Sequence, residues 1–457
     1  MRHTMPKAML SAAGILAALA LADSASAQVV INGTGSSAGR QFAGGTPVAL
    51  CLDTTAGAPK PIHYRNSTTD SGSDRHTWVC NVTYTSLANP AHSFTNQPAI
   101  IRYSASESGD GFVRLTGQYG TAQTATFITN SSTCGLPAEV TIARPDFPGD
   151  PTFVFDEYSN CSETTLLPVN FGASDVRASA FGQTGPIGNS FPPAGQPPVE
   201  EGPTLSSEAV AALPFAVFIG NGVYDRSGPA GTPGAQVTTL TREQVEAIFS
   251  RNVRTWDGLG YGALADITNP SLGFNASQSI FLCMRESGSG SKAAFDQTMM
   301  VLQNEVIAAD LNGGVTDYNA TSSGVRTCIQ NNPLRTIGYL NAETVVTNAH
   351  PVLLNGFSSN YAAGSSSFAR KRDIACERYV FWTDWRITRR VLLDGSPENN
   401  MIQVFADAGR ATTNNVPAGT HWVSQNEMKV QKALDKGPMS WKQVGGAVPA
   451  NPVCSIP

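Results

Sequence analysis

Apolar residues in this chain come in short runs broken by Gly, Ser, Thr, Asn and Pro, a rhythm that predicts short buried strands and a few amphipathic helices. The clearest unit lies at 279–297. Ile280-Phe281-Leu282-Cys283-Met284 predicts a buried strand, Arg285 stands at its end, and Ser287-Gly288-Ser289-Gly290-Ser291 forms a loop. Ala293, Ala294, Phe295, Met299, Met300 and Leu302 then recur at helical spacing. Residues 213–219 and 336–340 predict two more buried strands, and Val29-Val30-Ile31 predicts a β-branched one that enters a second Gly/Ser loop. Thr241 and Gln244 form a capping box ahead of a face made by Val245, Ile248 and Phe249, and Trp256 is assigned to the core. Ser396-Pro397-Glu398 supplies an N-cap, a proline at the first helical position and a first-turn acid for a helix with Met401, Ile402, Val404 and Phe405 inward.

The strand–loop–helix at 279–297 carries the candidate chemistry. The first N–H groups of a helix lack intrahelical partners, and the aligned peptide dipoles place partial positive charge there. Such a loop is an anion seat. Gly288 and Gly290 let the backbone approach an oxyanion, Ser289 and Ser291 add neutral donors, and Arg285 can give two parallel hydrogen bonds to a tetrahedral anion. The competing reading is a plain Ser/Gly connection. No Gly-Lys-Ser/Thr follows, so a nucleotide-hydrolysing loop is not indicated.

Around this unit the sequence bounds the class. Arg2 and Lys7 precede an alanine-rich apolar run that ends at Ala25-Ser26-Ala27, which reads as a secretory signal over residues 1–27. There is no lipid-anchor cysteine at the junction, and no later apolar run is long enough to span a bilayer. A periplasmic or secreted location follows as the expectation. A length of 457 residues favours two lobes. Charged residues make up 14% and the net charge is −5, without Lys/Arg clusters, which argues against nucleic acid. An anion must then be held by local donors, not by the overall field.

Eight cysteines in an exported chain predict disulfides, and their spacing suggests the sequential pairs Cys51–Cys80, Cys134–Cys161, Cys283–Cys328 and Cys376–Cys454. They lack metal-site spacing, so neither a metal nor another cofactor is expected. His63, His76 and His92 are assigned to the surface. Residues 179–203, rich in Gly and Pro, read as an exposed linker, and the chain beyond Val423 as an amphipathic, then Gly/Pro-rich tail tied down by Cys454.

Arg285-x-x-Gly288-Ser289-Gly290-Ser291 resembles the R-x-x-G-S-G-T segment of periplasmic phosphate-binding proteins, the receptors of ABC importers. Gly172-Ala173-Ser174-Asp175 is similar to the end of that family's D-F-G-A-S-D, and Gly33-Thr34-Gly35-Ser36-Ser37-Ala38 to its first anion-binding turn. The helix at 241–256 and the strand at 336–340 match its scaffold in register, and Val30-Ile31-Asn32-Gly33 is similar to the start of the secreted DING branch, with valine in place of aspartate. The resemblance implies a two-lobed α/β periplasmic-binding-protein (type 2) fold with disulfide-stapled insertions. Its lobes would be 28–205 with the return segment 376–457, and 206–375. Residues 40–100 read as one insertion of hairpins and turns.

The resemblance also implies ligand residues: Ser37, Ala38, Ser108 and Asp175 from one lobe, and Arg285, Ser289, Gly290 and Ser291 from the other. Asp175, also readable as a helix N-cap, would accept a proton from phosphate and exclude sulfate, which has none to give. Two departures stand out. Glu107 replaces a glycine beside Ser108, and Ser287 replaces the acid that pairs with the arginine, which leaves Glu286 as the compensating carboxylate. The implied function is an exported solute-binding protein that takes inorganic phosphate or a related oxyanion, with an ABC permease as partner. A secreted DING-like phosphatase and an extracellular structural or adhesive protein are the alternatives.

Overall fold

The computed structural model describes residues 27–457 except 144–151, 182–190, 265–273, 301–314, 360–371, 412–421, 442–453, 455–457 and stretches of one to three residues elsewhere. The signal assignment, Leu302 and much of the 179–203 and tail assignments fall outside the described residues.

In chain order the elements used below are β1 (Val29–Ser36), α1 (Arg40–Gly45), β2 (Arg75–Thr85), β3 (Ser93–Ser106) and α2 (Ser108–Thr116). They continue with β4 (Phe171–Ser174), β5 (Leu205–Gly220), α3 (Arg242–Phe249), β6 (Phe281–Arg285) and α4 (Gly290–Thr298). The last are β7 (Thr316–Asn319), α5 (Ser322–Asn331), β8 (Thr336–Asn341), β9 (Trp382–Arg390) and α6 (Pro397–Arg410).

One continuous ladder runs β7–β6–β8–β5–β9–β4–β1–β3–β2 and is extended past β2 by Ile62–Arg65, Thr152–Tyr158 and Ala138–Ala143. Its ends are different α/β units. At one end β6 lies parallel between β7 and β8, and in the other unit β1 lies parallel between β4 and β3. The join is β5. Its first half pairs antiparallel with β9, its second half leaves β9 and pairs with β8, and a bulge falls between Ala209 and Ala211. This is a two-lobed α/β fold whose lobes share the long strand β5.

The hydrophobic pattern accounts for the core. Leu282, Cys283 and Met284 are buried, as expected of a parallel strand covered on both faces, and Val245, Ile248, Phe249 and Trp256 close the adjoining layer. Thr241 and Gln244 make both hydrogen bonds of the capping box. Ser396 accepts from the N–H of Asn399, with Pro397 at the first turn, and Met401, Ile402, Val404 and Phe405 of α6 are buried. Met299 and Met300 are buried just past α4. All four sequential disulfides are present.

Three expectations need correction. Residues 40–100 form the expected hairpins, but within the main sheet: β1 pairs along its whole length with Ala99–Ser106 of β3, and β2 continues the same ladder. The Cys51–Cys80 bridge therefore staples the sheet itself. His63 and His76 are buried, not superficial. In β2 the side chains of His76, Trp78, Cys80 and Val82 alternate onto the covered face, and His63 stacks on Trp78 with ring centroids 4.3 Å apart. Its two ring nitrogens reach Glu157 and His76, each at 3.1 Å, which satisfies it inside the core. Burial drives His76 well below the usual histidine range, with the neighbouring His63 and Arg65 acting in the same sense. The third correction concerns the linker at 179–203: Phe181 and Val199 are buried and Phe191 packs edge-on to Phe181 at 5.4 Å, so parts of it belong to the wall of the fold.

Phe42 of α1 joins three elements: it stacks on Trp422 at 4.9 Å and meets Trp385 of β9 edge-on at 5.1 Å. Truncation there leaves a large apolar cavity among rigid rings. Phe42→Ala is expected to lower unfolding stability by about 3–5 kcal/mol, read from chemical denaturation. A loss under about 1 kcal/mol would show that α1 is not a core element.

Candidate functional site

The carboxyl ends of the parallel strands in both lobes, and the helix starts that follow them, meet at one place. From one lobe, β6 delivers Arg285 at its last position, in register with Asn319 at the end of β7. Gly288 then turns the chain with φ +90°, a conformation that disfavours side chains, and Ser289 caps α4 by accepting from the N–H of Lys292. From the other lobe come Ser36 at the end of β1, Ser108 at the first position of α2, and Asp175 just after β4. Arg285, Ser36, Ser108, Asp175, Ser289 and Ser291 are all buried.

The two helix starts are in contact. The N–H of Gly109 donates to the carbonyl of Gly288 at 3.2 Å. A Cβ at Gly290 would lie 2.1 Å from Ser108 Oγ and 2.4 Å from Asp175 Oδ2, so only glycine permits this approach. Asn341 of β8 adds a second bridge, its Nδ2 donating to the carbonyl of Ala38 at 3.4 Å.

Asp175 is held by neutral groups. Ser36 Oγ donates to its Oδ1, and its own N–H donates to Ser108 Oγ at 3.3 Å. Burial pushes its carboxyl up to about 6, against the hydroxyl hydrogen bonds and the charge of Arg285. Its alternative reading as a helix cap finds no support, since the N–H groups two and three residues on, of Arg177 and Ala178, go to Asp435 Oδ2 and Glu201 Oε1.

Arg285 is caged. Its Nε donates to the carbonyl of Asn319 at 3.2 Å, Nη2 to the carbonyl of Ala320 at 2.9 Å and Nη1 to Ser322 Oγ at 2.8 Å. Its backbone N–H reaches the Tyr339 hydroxyl at 3.4 Å, and Tyr339 stacks on Phe295 at 4.3 Å. A guanidinium has five N–H donors, so after these three bonds one remains on each Nη. Two N–H donors thus remain outside the cage. Burial pulls its pKa down, opposed first by Glu107.

The acid that faces Arg285 is Glu107 from the opposite lobe, with Oε1 3.6 Å from Nη2. The sequence reading gave that role to Glu286, whose influence on the guanidinium ranks behind those of Glu107, Tyr339 and Asp175. Ser287 lines a small cavity with Phe181, Phe191, Lys292 and Asp296.

Six of the expected residues, Ser108, Asp175, Arg285, Ser289, Gly290 and Ser291, therefore meet at or beside the contact between the helix starts. Ser37 and Ala38 lie in the turn after β1. There the Ser37 carbonyl accepts from Arg40 at 2.7 Å, and the hydroxyl turned on Asp175 is that of Ser36. Sequence reasoning missed Ser36 by one position, and missed the pairing of Glu107 and the Asn319–Ser322 cage altogether.

No family model matches the chain, and no curated protein matches it. Solved structures similar to it include a putative phosphate ABC transporter substrate-binding protein with bound phosphate from Clostridium perfringens, at 12% identity and a TM-score of 0.43, covering 86% of this chain and 99% of that one. A DING protein is similar at 13% identity and a TM-score of 0.42, covering 87% and 92%. PstS from Borrelia burgdorferi follows at 10% and 0.36, covering 84% and 94%. At such identities and scores these likenesses carry no argument about what this chain binds.

Asp175 offers a direct test of the site's electrostatics. Its carboxyl is raised above the unfolded value, so its contribution to stability is full below about pH 4 and is lost as pH rises through about 6. Ligand-free Asp175→Asn is expected to exceed the parent in stability at about pH 8 by on the order of 2 kcal/mol, with the gap closing near pH 4. Urea midpoints at the two pH values check this.

Proposed function

We propose that this chain is an exported solute-binding protein that seats inorganic phosphate between its lobes, for uptake through an ABC-type permease. The observation that carries the reading is the convergence on one point of two helix starts, a caged arginine with two spare donors and a buried, hydroxyl-bonded carboxyl. Helix starts and a guanidinium suit an oxyanion; a carboxyl among them suits one that carries a proton. Sulfate would leave Asp175 without a donor and facing like charge.

In this reading Ser37, Ala38, Ser108 and Asp175 bind from the lobe formed by 28–205 and 376–457, and Arg285, Ser289, Gly290 and Ser291 from the lobe formed by 206–375. Opening and closing would bend β5, the strand common to both. The leader at 1–27 would place the protein in the periplasm or outside the cell. No helix among the described residues is long and apolar enough to cross a membrane.

Calorimetric titration with phosphate, sulfate and arsenate near neutral pH tests the reading. Phosphate should bind and sulfate should not. Arg285→Ala should weaken phosphate by at least about 100-fold, through the loss of two charge-assisted hydrogen bonds. Asp175→Asn should relax the discrimination against sulfate. Folded, ligand-free protein that gives no heat with any of the anions would sink the reading.

A further inference from the structure

Glu107 faces the seat without capping the helix it precedes. It precedes α2 in extended backbone (φ −88°, ψ 151°) and makes no side-chain capping hydrogen bond. Its carboxylate reaches across the lobes: Oε1 stands 3.6 Å from Arg285 Nη2, and Oε2 lies 2.8 Å from where a Cβ of Gly288 would be. Arg285 is fully buried, whereas the Glu107 side chain is 35% exposed, so it covers the solvent side of the guanidinium. The charged groups around it are Arg285 of β6, Glu286 of the following loop and Asp110 of its own helix, and Asp175 faces the same arginine. One cation therefore meets several carboxylates before any anion arrives.

We propose that Glu107 is a specificity-determining residue of this seat: its carboxylate competes for the spare donors of Arg285, so the cleft takes up a tetrahedral oxyanion together with a proton and favours a singly charged, hydrogen-bearing one. This rests on the phosphate reading above. A doubly charged anion beside ionised Glu107 and Asp175 meets repulsion that one guanidinium and two helix starts must offset. Protonation of Glu107 removes that repulsion and returns Arg285 to the ligand. Burial, first, with Asp110 and Glu286 aiding and Arg285 opposing, brings the Glu107 carboxyl up to about 7. Asp175 titrates near 6 and must stay ionised to accept the ligand's proton. Protonated Glu107 leaves Arg285 to the ligand, and ionised Glu107 reclaims it as pH rises.

The test is titration with inorganic phosphate of the parent, Glu107→Gln and Glu107→Ala at about pH 6.5 and about pH 8, in buffers of different ionisation enthalpy so that bound protons are counted. Between the two pH values the parent should weaken roughly tenfold more than either variant. At the higher pH each variant should bind about tenfold tighter than the parent, with about one fewer proton taken up. Comparison with the variants removes the contribution of phosphate's own titration. Equal pH dependence and equal proton counts in all three proteins would overturn the role of Glu107 and leave phosphate binding standing. No phosphate binding by parent or variants at either pH would overturn the phosphate seat itself, and this proposal with it.

Discussion

A guanidinium withdrawn from water must find acceptors, and much of the second lobe can be understood as the means of supplying them to Arg285. Burying a charge without partners costs several kcal/mol. Here the carbonyls of Asn319 and Ala320 and the hydroxyl of Ser322 take three of its five donors. Those acceptors exist only if β7 ends level with β6 and α5 starts immediately afterwards, as the register of Arg285 with Asn319 provides. Tyr339 on β8 then fixes the backbone from the other side. The charge thus constrains the ends of three parallel strands and the start of one helix, and it keeps the remaining donors pointed at the opposite lobe.

The opposite lobe answers with groups of the other kind. The Asp175 carboxylate accepts from the Ser36 hydroxyl, its backbone N–H goes to Ser108 Oγ, and helix starts supply positive potential without adding a second cation. The two halves make contact through backbone and small side chains, as at Gly109 with Gly288 and at Gly290 with Ser108. Such a surface contributes little hydrophobic energy to closure. What holds the lobes in register is the shared strand β5.

The sequence made some of this plain and hid the rest for physical reasons. Element type was readable wherever one period dominated: the unbroken run at 280–284, the capping box of Thr241 and Gln244, the Ser396-Pro397-Glu398 helix start. The strand–loop–helix around Arg285 was readable because Gly and Ser punctuate it at fixed offsets. Hidden features depended on a neighbour distant in sequence. His76 looks polar in a polar stretch, and only the alternation of β2 against β3 and the stack of His63 on Trp78 shows both histidines buried. Glu107 and Glu286 are equally acidic on paper, and nothing local says which one crosses the cleft. Ser36 ends β1 and Ser37 opens the turn after it, so one position decides which hydroxyl meets Asp175.

The bond between Cys283 and Cys328 lies two residues before Arg285 and joins β6 to α5, the helix whose first residue, Ser322, receives the guanidinium. It therefore clamps donor and acceptor into one rigid piece. Reduced chain keeps every residue of the seat but loses the clamp, so Arg285 and its cage become free to drift against one another. If the seat holds an anion as proposed, closure of this bridge shapes recognition as well as the fold.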